Sequence, residues 1–436
     1  MSNNSLTIFE YDAVYDASDT NENLDRCYKV DTNVYEWLKK LCLGDQNNNQ
    51  KGISWLVLRR KNNQEVIQFS GYVGVLHHAN TGFQLEILPK TGLYDNNIER
   101  TRKLLIDMLR SLPDFKHFKS SDAEIDKTTM PLLEVFIRQF LLATDAVVKR
   151  GLRSEYVSKQ DNLFALRGKL IFSQHVKQNL VRRDRFYTEH DEFLQNRPEN
   201  RLIHTALKRV LRYTRSSDNQ KLARELGFVF NDIPESHHIE LDFQKVQRLD
   251  RGMSYYQPAL AWSKLILNSL SPLAGSGKNN AISLLFPMAD VFEAYVAKHL
   301  APKFKNEWHL KKQVKSEYLV NHNDQKWFQL KPDILITKNG HNEFVMDTKW
   351  KLLDSSKNNG TDKYDLSQAD FYQLYAYGHY YLNQDKSVFL IYPKTEKFPK
   401  ALEVFSFNSS LNFKLWVLPF DLEKKELIDF DKRLIE

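Results

Sequence analysis

The pattern that most restricts the fold of this chain is a pair of apolar, alternating segments, "WFQLKPDILI" and "NEFVMDTKWK", on either side of a short turn containing "KNG". Alternation with a period of two is typical of β-strands, and Asn-Gly is a frequent hairpin turn. Residues 327–351 are therefore predicted to form a β-hairpin. On its second strand, Asp347 and Lys349 share one face.

The length of the turn decides whether a second acid joins this pair. A two-residue turn with unbroken pairing would place Asp333 on the face opposite to Asp347. A three-residue loop over 338–340, with Gly340 in the left-handed conformation of a bulge, would pair Asp333 with Val345 and bring it to the face of Asp347. We therefore predict the three-residue loop.

In that arrangement two carboxylates and an ammonium group lie together at the end of an apolar strand. Carboxylate oxygens at this separation suit Mg²⁺, which lowers the pKa of a bound water and neutralises charge on a phosphodiester. Lys349 would position or deprotonate the attacking water and stabilise the developing charge. The chemistry predicted is phosphodiester hydrolysis. An acid-x-Lys tripeptide also occurs elsewhere, as in Asp324-Gln-Lys326, so the alternative is an exposed strand with ordinary charges.

Two predicted helices flank the hairpin. The first, "FPMADVFEAYVAKHL", carries Glu293 in an apolar stretch, where an acid is costly unless it is paired or bound to a metal. The second, "DLSQADFYQLYAYGHYYL", is expected to open with a capping box from Ser367 to Asp370 and has Gln373 and Tyr377 four residues apart on one face. This pair would hold water or DNA, or would simply belong to a packed amphipathic helix.

The rest of the chain predicts a mixed α/β, multidomain fold. Segments between 53 and 88 are rich in β-branched and aromatic residues, which favours a β-rich N-terminal domain over 1–128. Helical periodicity dominates a basic middle region over 129–270. The linker "SPLAGSGKNNA" then leads into an α/β domain over 271–436.

Charge is concentrated in the middle region. The chain has a net charge of +7, but residues 149–215 alone contain sixteen Lys and Arg against seven Asp and Glu. Clustered cations release counterions on binding DNA, so Arg182, Arg183 and Arg185 are predicted DNA contacts. The alternative is a solvated helical surface.

Several classes of protein are disfavoured by the sequence. No apolar run approaches the ~20 residues that span a bilayer, and the first thirty residues lack a hydrophobic signal segment, so a cytoplasmic location without a membrane partner is expected. The "GSGK" segment lacks the remaining residues of a phosphate loop, because Pro272 and Asn279 occupy the required Gly and Ser/Thr positions. Any nucleotide is therefore expected to bind a partner chain.

The order of these elements resembles the PD-(D/E)xK nuclease core: a helix with Glu, a strand with Pro-Asp, a strand with Asp-x-Lys and a helix with Gln-x-x-x-Tyr. Ordered blocks between residues 71 and 378 together resemble the McrC family, the nuclease subunits of McrBC modification-dependent restriction systems. These blocks are "GYVGVL", "LEILPKTG", "GLRSEYVSKQDNLFALRGKLIF", "ENRLI", "LFPMADVFEAYV", "KPDILI", "MDTKWK" and "DFYQLYAYG".

The resemblance implies a Mg²⁺-dependent endonuclease for double-stranded DNA that works with an McrB-like hexameric AAA+ GTPase. That partner would bind GTP and recognise modified cytosine, and the N-terminal region of the present chain would engage the hexamer's pore and stimulate GTP hydrolysis. The implied catalytic residues are Asp333, Asp347, Lys349 and Gln373. The implied metal ligands are Asp333, Asp347 and Glu293. Tyr377, from its spacing to Gln373, and the three arginines, from the clustered charge, are the predicted DNA contacts.

Two alternative functions remain open at this point. The chain could be mainly a GTPase-stimulating assembly subunit, with the nuclease core secondary. It could also be a self-sufficient RecB-like DNA exonuclease, although the chain has no recognisable motor motif.

Overall fold

A computed structural model describes residues 5–18, 24–44, 55–78, 81–92, 97–115, 130–246, 251–268, 283–304, 306–383, 386–408 and 412–430. The chain divides into two compact units: Met1–Thr129 together with Pro272–Glu436, and Met130–Ser271. The further division of the first unit into a β-rich front and an α/β domain stays a prediction.

The described residues form twenty strands. They are β1 (Ser5–Phe9), β2 (Ala13–Asp16), β3 (Cys27–Val30), β4 (Leu56–Lys61), β5 (Gln64–Phe69), β6 (Tyr72–His78), β7 (Phe83–Leu88), β8 (Glu155–Leu163), β9 (Lys169–Leu170), β10 (Phe186–Leu194), β11 (Ser283–Pro287), β12 (Trp308–Lys312), β13 (Tyr318–His322), β14 (Gln325–Gln329), β15 (Ile334–Lys338), β16 (His341–Thr348), β17 (Lys386–Pro393), β18 (Phe405–Ser406), β19 (Phe413–Asp421) and β20 (Glu426–Leu427).

The same residues form ten α-helices. They are α1 (Thr32–Leu43), α2 (Ile98–Leu109), α3 (Leu132–Arg150), α4 (Phe172–Asn179), α5 (Pro198–Tyr213), α6 (Ser217–Val229), α7 (Ile239–Lys245), α8 (Gln257–Asn268), α9 (Met288–Leu300) and α10 (Gln368–Tyr381). No helix in the described ranges has the length and apolar character needed to cross a bilayer.

The front of the first unit contains two four-stranded sheets, with the orders β1-β7-β6-β11 and β3-β2-β5-β4. Side chains from both sheets and from α1, among them Ile8, Leu38, Ile67 and Leu85, share one buried cluster. The β structure expected between residues 53 and 88 is present as β4 to β7. The two sheets and α1 therefore share one core.

A strand from the other side of the predicted linker completes the first of these sheets. β11 pairs antiparallel with β6, and Gly74 lies opposite Leu285. Gly74 has a φ of +131°, and a Cβ there would be 1.9 Å from the carbonyl oxygen of Leu284. Only glycine permits this close approach. The chain after the linker is thereby joined to the N-terminal sheet.

The α/β part of the first unit is built on a sheet with the order β12-β15-β16-β17-β19-β18, with β20 paired to β19. β16, β17 and β19 run parallel, and α10 forms the crossover from β16 to β17. α10 packs on one face through a cluster that includes Leu374, Tyr377, Val345 and Val388. α9 also contacts β16.

The hairpin differs from its prediction in its first strand and in its turn. Residues 327–329 belong to β14, which pairs with β13 in a separate sheet, so the hairpin consists of β15 and β16. Lys338 pairs with His341, so the turn has two residues, Asn339 and Gly340, with φ values of +50° and +86°. The predicted three-residue loop is wrong. Two consecutive residues with positive φ match the twist of the flanking strands, so an Asn-Gly pair favours the shorter turn.

A bulge provides the missing one-residue shift. Thr337 pairs with Asn342, whereas Ile336 pairs with Phe344, which leaves Glu343 as an extra residue in β16. Beyond the bulge, Leu335 lies opposite Val345. A one-residue shift moves side chains to the other face, so the bulge achieves what the longer loop was expected to do.

The second unit combines helices with a small sheet. α3, α5, α6 and α8 contact one another, and their buried side chains include Phe136, Phe140, Leu202 and Leu207. The helical character expected for residues 129–270 is present as α3 to α8. The small sheet has the order β8-β10-β9, and α4 packs against β10.

Candidate active site

The candidate site begins at the end of β16, where apolar alternation gives way to polar residues. Asp347 is 1% exposed, and its Oδ2 lies 2.6 Å from Nζ of Lys349. Among the described residues this oxygen accepts no aligned hydrogen bond, although the ammonium group is close. The backbone N–H of Lys349 donates to the carbonyl of Ile391 on β17, which extends the parallel pairing to this residue.

Asp333 reaches the same place from the neighbouring strand. It directly precedes β15, and continuing the register Ile334–Met346 by one residue places it opposite Asp347. Its Oδ2 accepts hydrogen bonds from both the backbone N–H and the Oγ1–H of Thr348, each at 2.7 Å. The two aspartates and Lys349 are therefore brought together, through the bulge rather than through the predicted loop.

Helix α10 supplies the polar groups on the other side of Lys349. Nζ of Lys349 donates to Oε1 of Gln373 at 3.0 Å. Nε2 of Gln373 donates to the hydroxyl of Tyr377 at 2.7 Å, and this hydroxyl donates to the carbonyl of Lys331 at 3.0 Å. Tyr377 is 4% exposed. Hydrogen bonds thus run from Lys349 through Gln373 and Tyr377 to Lys331, two residues before Asp333.

The start of α10 differs from its prediction. Ser367 is the N-cap residue but makes no side-chain capping bond, so the predicted capping box is wrong. The carboxylate of Asp370 instead accepts a hydrogen bond from the hydroxyl of Tyr392 at 3.2 Å and lies 3.8 Å from Nζ of Lys349. The carboxylate of Asp370 thus contacts Tyr392 and Lys349 from the first turn of α10.

Burial dominates the electrostatics of the acids. It raises the pKa of Asp347 to about 7, and the nearby negative charge of Asp333 adds to the increase. Burial also raises the pKa of Asp333, against the hydrogen bonds from Thr348. Burial alone would lower the pKa of Lys349. The carboxylates of Asp347, Asp370 and Asp333 outweigh it, so the Lys349 pKa lies above its ordinary value. The site therefore holds a protonated lysine among acids that readily take up protons.

Glu293 lies on α9 and faces the same group of charges. Its Oε2 accepts a hydrogen bond from Nε2 of Gln313 at 3.3 Å. Burial raises its pKa to about 7, and the negative charges of Asp333, Asp290 and Asp347 contribute. An acid whose pKa is raised by other acids is a candidate to share a cation with them.

The donor set fits Mg²⁺ in its chemistry. Mg²⁺ takes one or two protein carboxylates and completes its octahedron with water and phosphate oxygens. Asp333 and Asp347 provide such a pair, and Oδ2 of Asp347 is a buried oxygen without an aligned donor in the described part of the chain. Within the described ranges, no three His, Cys, Asp or Glu side chains form a closed metal cage. The site thus suits an ion that relies on water and substrate for the rest of its shell.

Three residues of this site were not anticipated in these roles. Thr348 holds Asp333, Asp370 faces Lys349, and Gln313 bonds to Glu293. Asp370 lies three residues before Gln373, so helical spacing could have placed both on one face. Thr348 and Gln313 depend on strand register, for which the sequence has no comparable signal.

The three arginines predicted to contact DNA lie in the second unit, in the turn before β10. Arg182 and Arg183 are exposed, and Arg185 is half-buried with its guanidinium 4.2 Å from the ring centre of Phe164. A guanidinium over an aromatic face is held in place while its N–H groups remain available. DNA contact by these residues stays a prediction.

Fold and site together define a mixed α/β multidomain protein whose central sheet carries acids and a lysine at adjacent strand ends. The chain belongs to the family described as "McrBC 5-methylcytosine restriction system component", which it matches over residues 67–393. No curated protein matches the chain.

Solved structures with a similar fold come from Thermococcus gammatolerans. One is the refined half-complex from a tetradecameric assembly of McrB AAA+ hexamers with bound McrC, with a TM-score of 0.67 and 19% identity over 99% of this chain and 98% of that chain. Another is the cryo-EM structure of the McrBC complex, with a TM-score of 0.48 and 21% identity over 68% of this chain and 87% of that chain. At these identities the first likeness concerns the fold.

Proposed function

We propose that this chain is the DNA endonuclease subunit of a GTP-dependent, modification-dependent restriction complex of the McrBC type. The observation that carries the proposal is the cluster of Asp333, Asp347, Lys349 and Gln373 at adjacent strand ends and on the facing helix. The order of helix, strands and crossover helix supports a PD-(D/E)xK nuclease core. Family membership supports the restriction context.

Asp333 and Asp347 would hold Mg²⁺, with Glu293 in support. When bound, the ion would neutralise charge on the scissile phosphodiester. Because burial raises the pKa values of Asp347 and Glu293 to about 7, a cation would also favour the ionised carboxylates over the protonated ones. Thr348 fixes the orientation of Asp333 through two hydrogen bonds.

Lys349 serves as a positive charge in this mechanism. Its raised pKa keeps it protonated at neutral pH, so it can orient the attacking water and stabilise negative charge on the phosphate, but it is a poor base. Gln373 holds the ammonium group through its Oε1. Tyr377 is buried and its hydroxyl is engaged by Gln373 and Lys331, so we assign it to positioning Gln373 rather than to contacting DNA.

The partner we infer is an McrB-like AAA+ GTPase hexamer that binds GTP. The support is the fold similarity to a chain of the complex of McrB AAA+ hexamers with bound McrC. The β-rich segment 1–128 would engage this partner and stimulate its GTP hydrolysis, and Arg182, Arg183 and Arg185 would contact double-stranded DNA. A stimulating role and a nuclease role are compatible in one chain.

DNA cleavage with the partner, GTP and Mg²⁺ tests the proposal. Asp347→Ala removes a buried carboxylate of the cluster and should reduce cleavage at least ~100-fold, the scale of losing a principal charge-stabilising group. Asp324→Ala is the matched control, because Asp324 belongs to an exposed Asp-x-Lys tripeptide. Cleavage by Asp347→Ala at the wild-type rate, or undiminished cleavage in EDTA, would overturn the assignment.

A further inference from the structure

A fully buried acid from the N-terminal segment meets the residue next to Lys349. Glu10 follows β1 and is 0% exposed. Its Oε2 accepts hydrogen bonds from Nε1 of Trp350 at 2.8 Å and from the backbone N–H of Lys90 at 3.2 Å. All three residues belong to the first compact unit.

The environment of Glu10 is costly for a carboxylate. Its Oε1 is buried and accepts no hydrogen bond from any residue that the structure describes. Burial raises the pKa of Glu10 to about 7, against the bonds from Trp350 and Lys90. A buried acceptor with an unsatisfied oxygen lowers stability, so the position is poorly explained by packing alone.

Trp350 links Glu10 to both sides of the candidate site. It is peptide-bonded to Lys349, and its ring packs on Phe292 with ring centres 5.3 Å apart. Phe292 in turn precedes Glu293 on α9. The orientation of the Trp350 indole therefore affects the backbone of Lys349 and the helix α9, which carries Glu293.

We propose that Glu10 is a positioning residue for the candidate nuclease site: its hydrogen bond to Trp350 fixes the indole and thereby the approach of Lys349 to Asp347 and Gln373. The proposal rests on the proposed function. It also links the N-terminal segment to the candidate site, because Glu10 follows β1 and Lys90 follows β7, two neighbouring strands of the sheet β1-β7-β6-β11.

Conservative substitutions separate this hydrogen bond from packing. Trp350→Phe keeps an aromatic ring on Phe292 and removes the indole N–H, while Glu10→Ala removes the acceptor. Each should lower the single-turnover rate of DNA cleavage about tenfold with little change in the DNA concentration for half-maximal rate, because small displacements of a catalytic group are costly. The double variant should be no slower than either single variant. Glu10→Gln keeps an acceptor oxygen and should restore most of the rate.

The matched control is Trp416→Phe. Trp416 lies in β19 of the same α/β sheet, and its buried Nε1 has no hydrogen-bond partner among the described residues, so removing that N–H should leave cleavage unchanged. A wild-type rate for Trp350→Phe, or multiplicative losses in the double variant, would overturn the positioning role.

A second measurement does not depend on nuclease activity. Lys349 is 26% exposed and held by Asp347 and Gln373, so an amine-reactive reagent should modify it several-fold faster in Trp350→Phe and Glu10→Ala than in wild type or Trp416→Phe. Equal modification rates would contradict the proposal. If Asp347→Ala cleaves normally while Lys349 reactivity changes as expected, the proposed function fails and the positioning contact stands.

Discussion

At the scale of single residues, the site concentrates negative charge in a buried place. Asp347, Asp370 and Asp333 act on one lysine, Lys349, and Glu293 lies near Asp333 and Asp347. Burial raises the pKa of Asp347 and Glu293 to about 7. Buried acids with raised pKa values lower the stability of the free protein, which agrees with the proposed role of this group in binding a cation.

This arrangement has a pH signature in the stability of the metal-free chain. Folding raises the pKa of Asp347 from 3.8 to about 7. Its contribution to the free energy of unfolding is therefore fully present below pH ~4 and is lost as the pH rises through 7. Asp347→Asn has no carboxyl group to ionise, so it does not lose stability in this way as the pH rises. In EDTA, the melting temperature of the variant should exceed that of wild type increasingly from pH 4.5 to 7, by about 2 °C or more, and the difference should level off above pH 7.

Thermal unfolding at pH 4.5, 6, 7 and 8 measures this difference. Asp324→Asn changes an exposed acid and should show no such trend. A variant at Asp347 that is less stable than wild type at pH 8 would show that the ionised carboxylate stabilises the fold.

At the scale of secondary structure, the hairpin shows what periodicity can predict. Alternation identified the second strand and the common face of Asp347 and Lys349, because these depend only on local spacing. The first predicted strand, over 327–336, is divided between β14 and β15, which belong to different sheets. Alternation did not identify the two-residue turn or the extra Glu343, because a bulge changes the register without altering the apolar pattern on either side. The grouping of Asp333 with Asp347 was therefore expected for the wrong geometric reason.

The two helices that flank the hairpin were predicted for the same local reason, whereas contacts across the sheet were not. Glu293, Gln373 and Tyr377 were singled out as polar positions on apolar helices. The crossover helix α10 brings Asp370 to Lys349, and the bulge in β16 brings Thr348 to Asp333. Both contacts join residues that are far apart in the sequence. Non-local geometry of this kind is what a single sequence conveys least.

One contact of the site helix is tight enough to test directly. Gly378 on α10 faces β19, and a Cβ there would lie 2.3 Å from Cζ of the buried Phe413. Gly378→Ala should lower the free energy of unfolding by about 1–3 kcal/mol, because the ring cannot withdraw from a close-packed core. Denaturant unfolding measures the change.

A matched helical glycine serves as the control for this substitution. A Cβ added to Gly227 on α6 would meet no atom of the described residues within 4 Å, so Gly227→Ala should stabilise its helix slightly, by about 0.5–1 kcal/mol. Equal effects at the two positions would mean that helix propensity, rather than the contact with Phe413, decides the outcome.

At the scale of the whole molecule, the front sheets and the α/β sheet share one compact unit. β11 completes the front sheet immediately before α9, and Glu10 reaches Trp350 beside Lys349. A segment proposed to engage the GTPase is thus covalently and sterically continuous with the proposed nuclease site. The first unit thus contains both the segment proposed to stimulate the partner and the site proposed to cut DNA.

The central claim is that Lys349 and its acids perform phosphodiester cleavage while other surfaces serve the partner. The most direct test follows DNA cleavage and GTP hydrolysis in one reaction containing the partner, Mg²⁺ and either Lys349→Ala or the exposed control Lys326→Ala. We expect Lys349→Ala to lose cleavage by ~100-fold or more and to keep the wild-type stimulation of GTP hydrolysis, with Lys326→Ala unchanged in both. Cleavage by Lys349→Ala at the rate of Lys326→Ala would contradict the account.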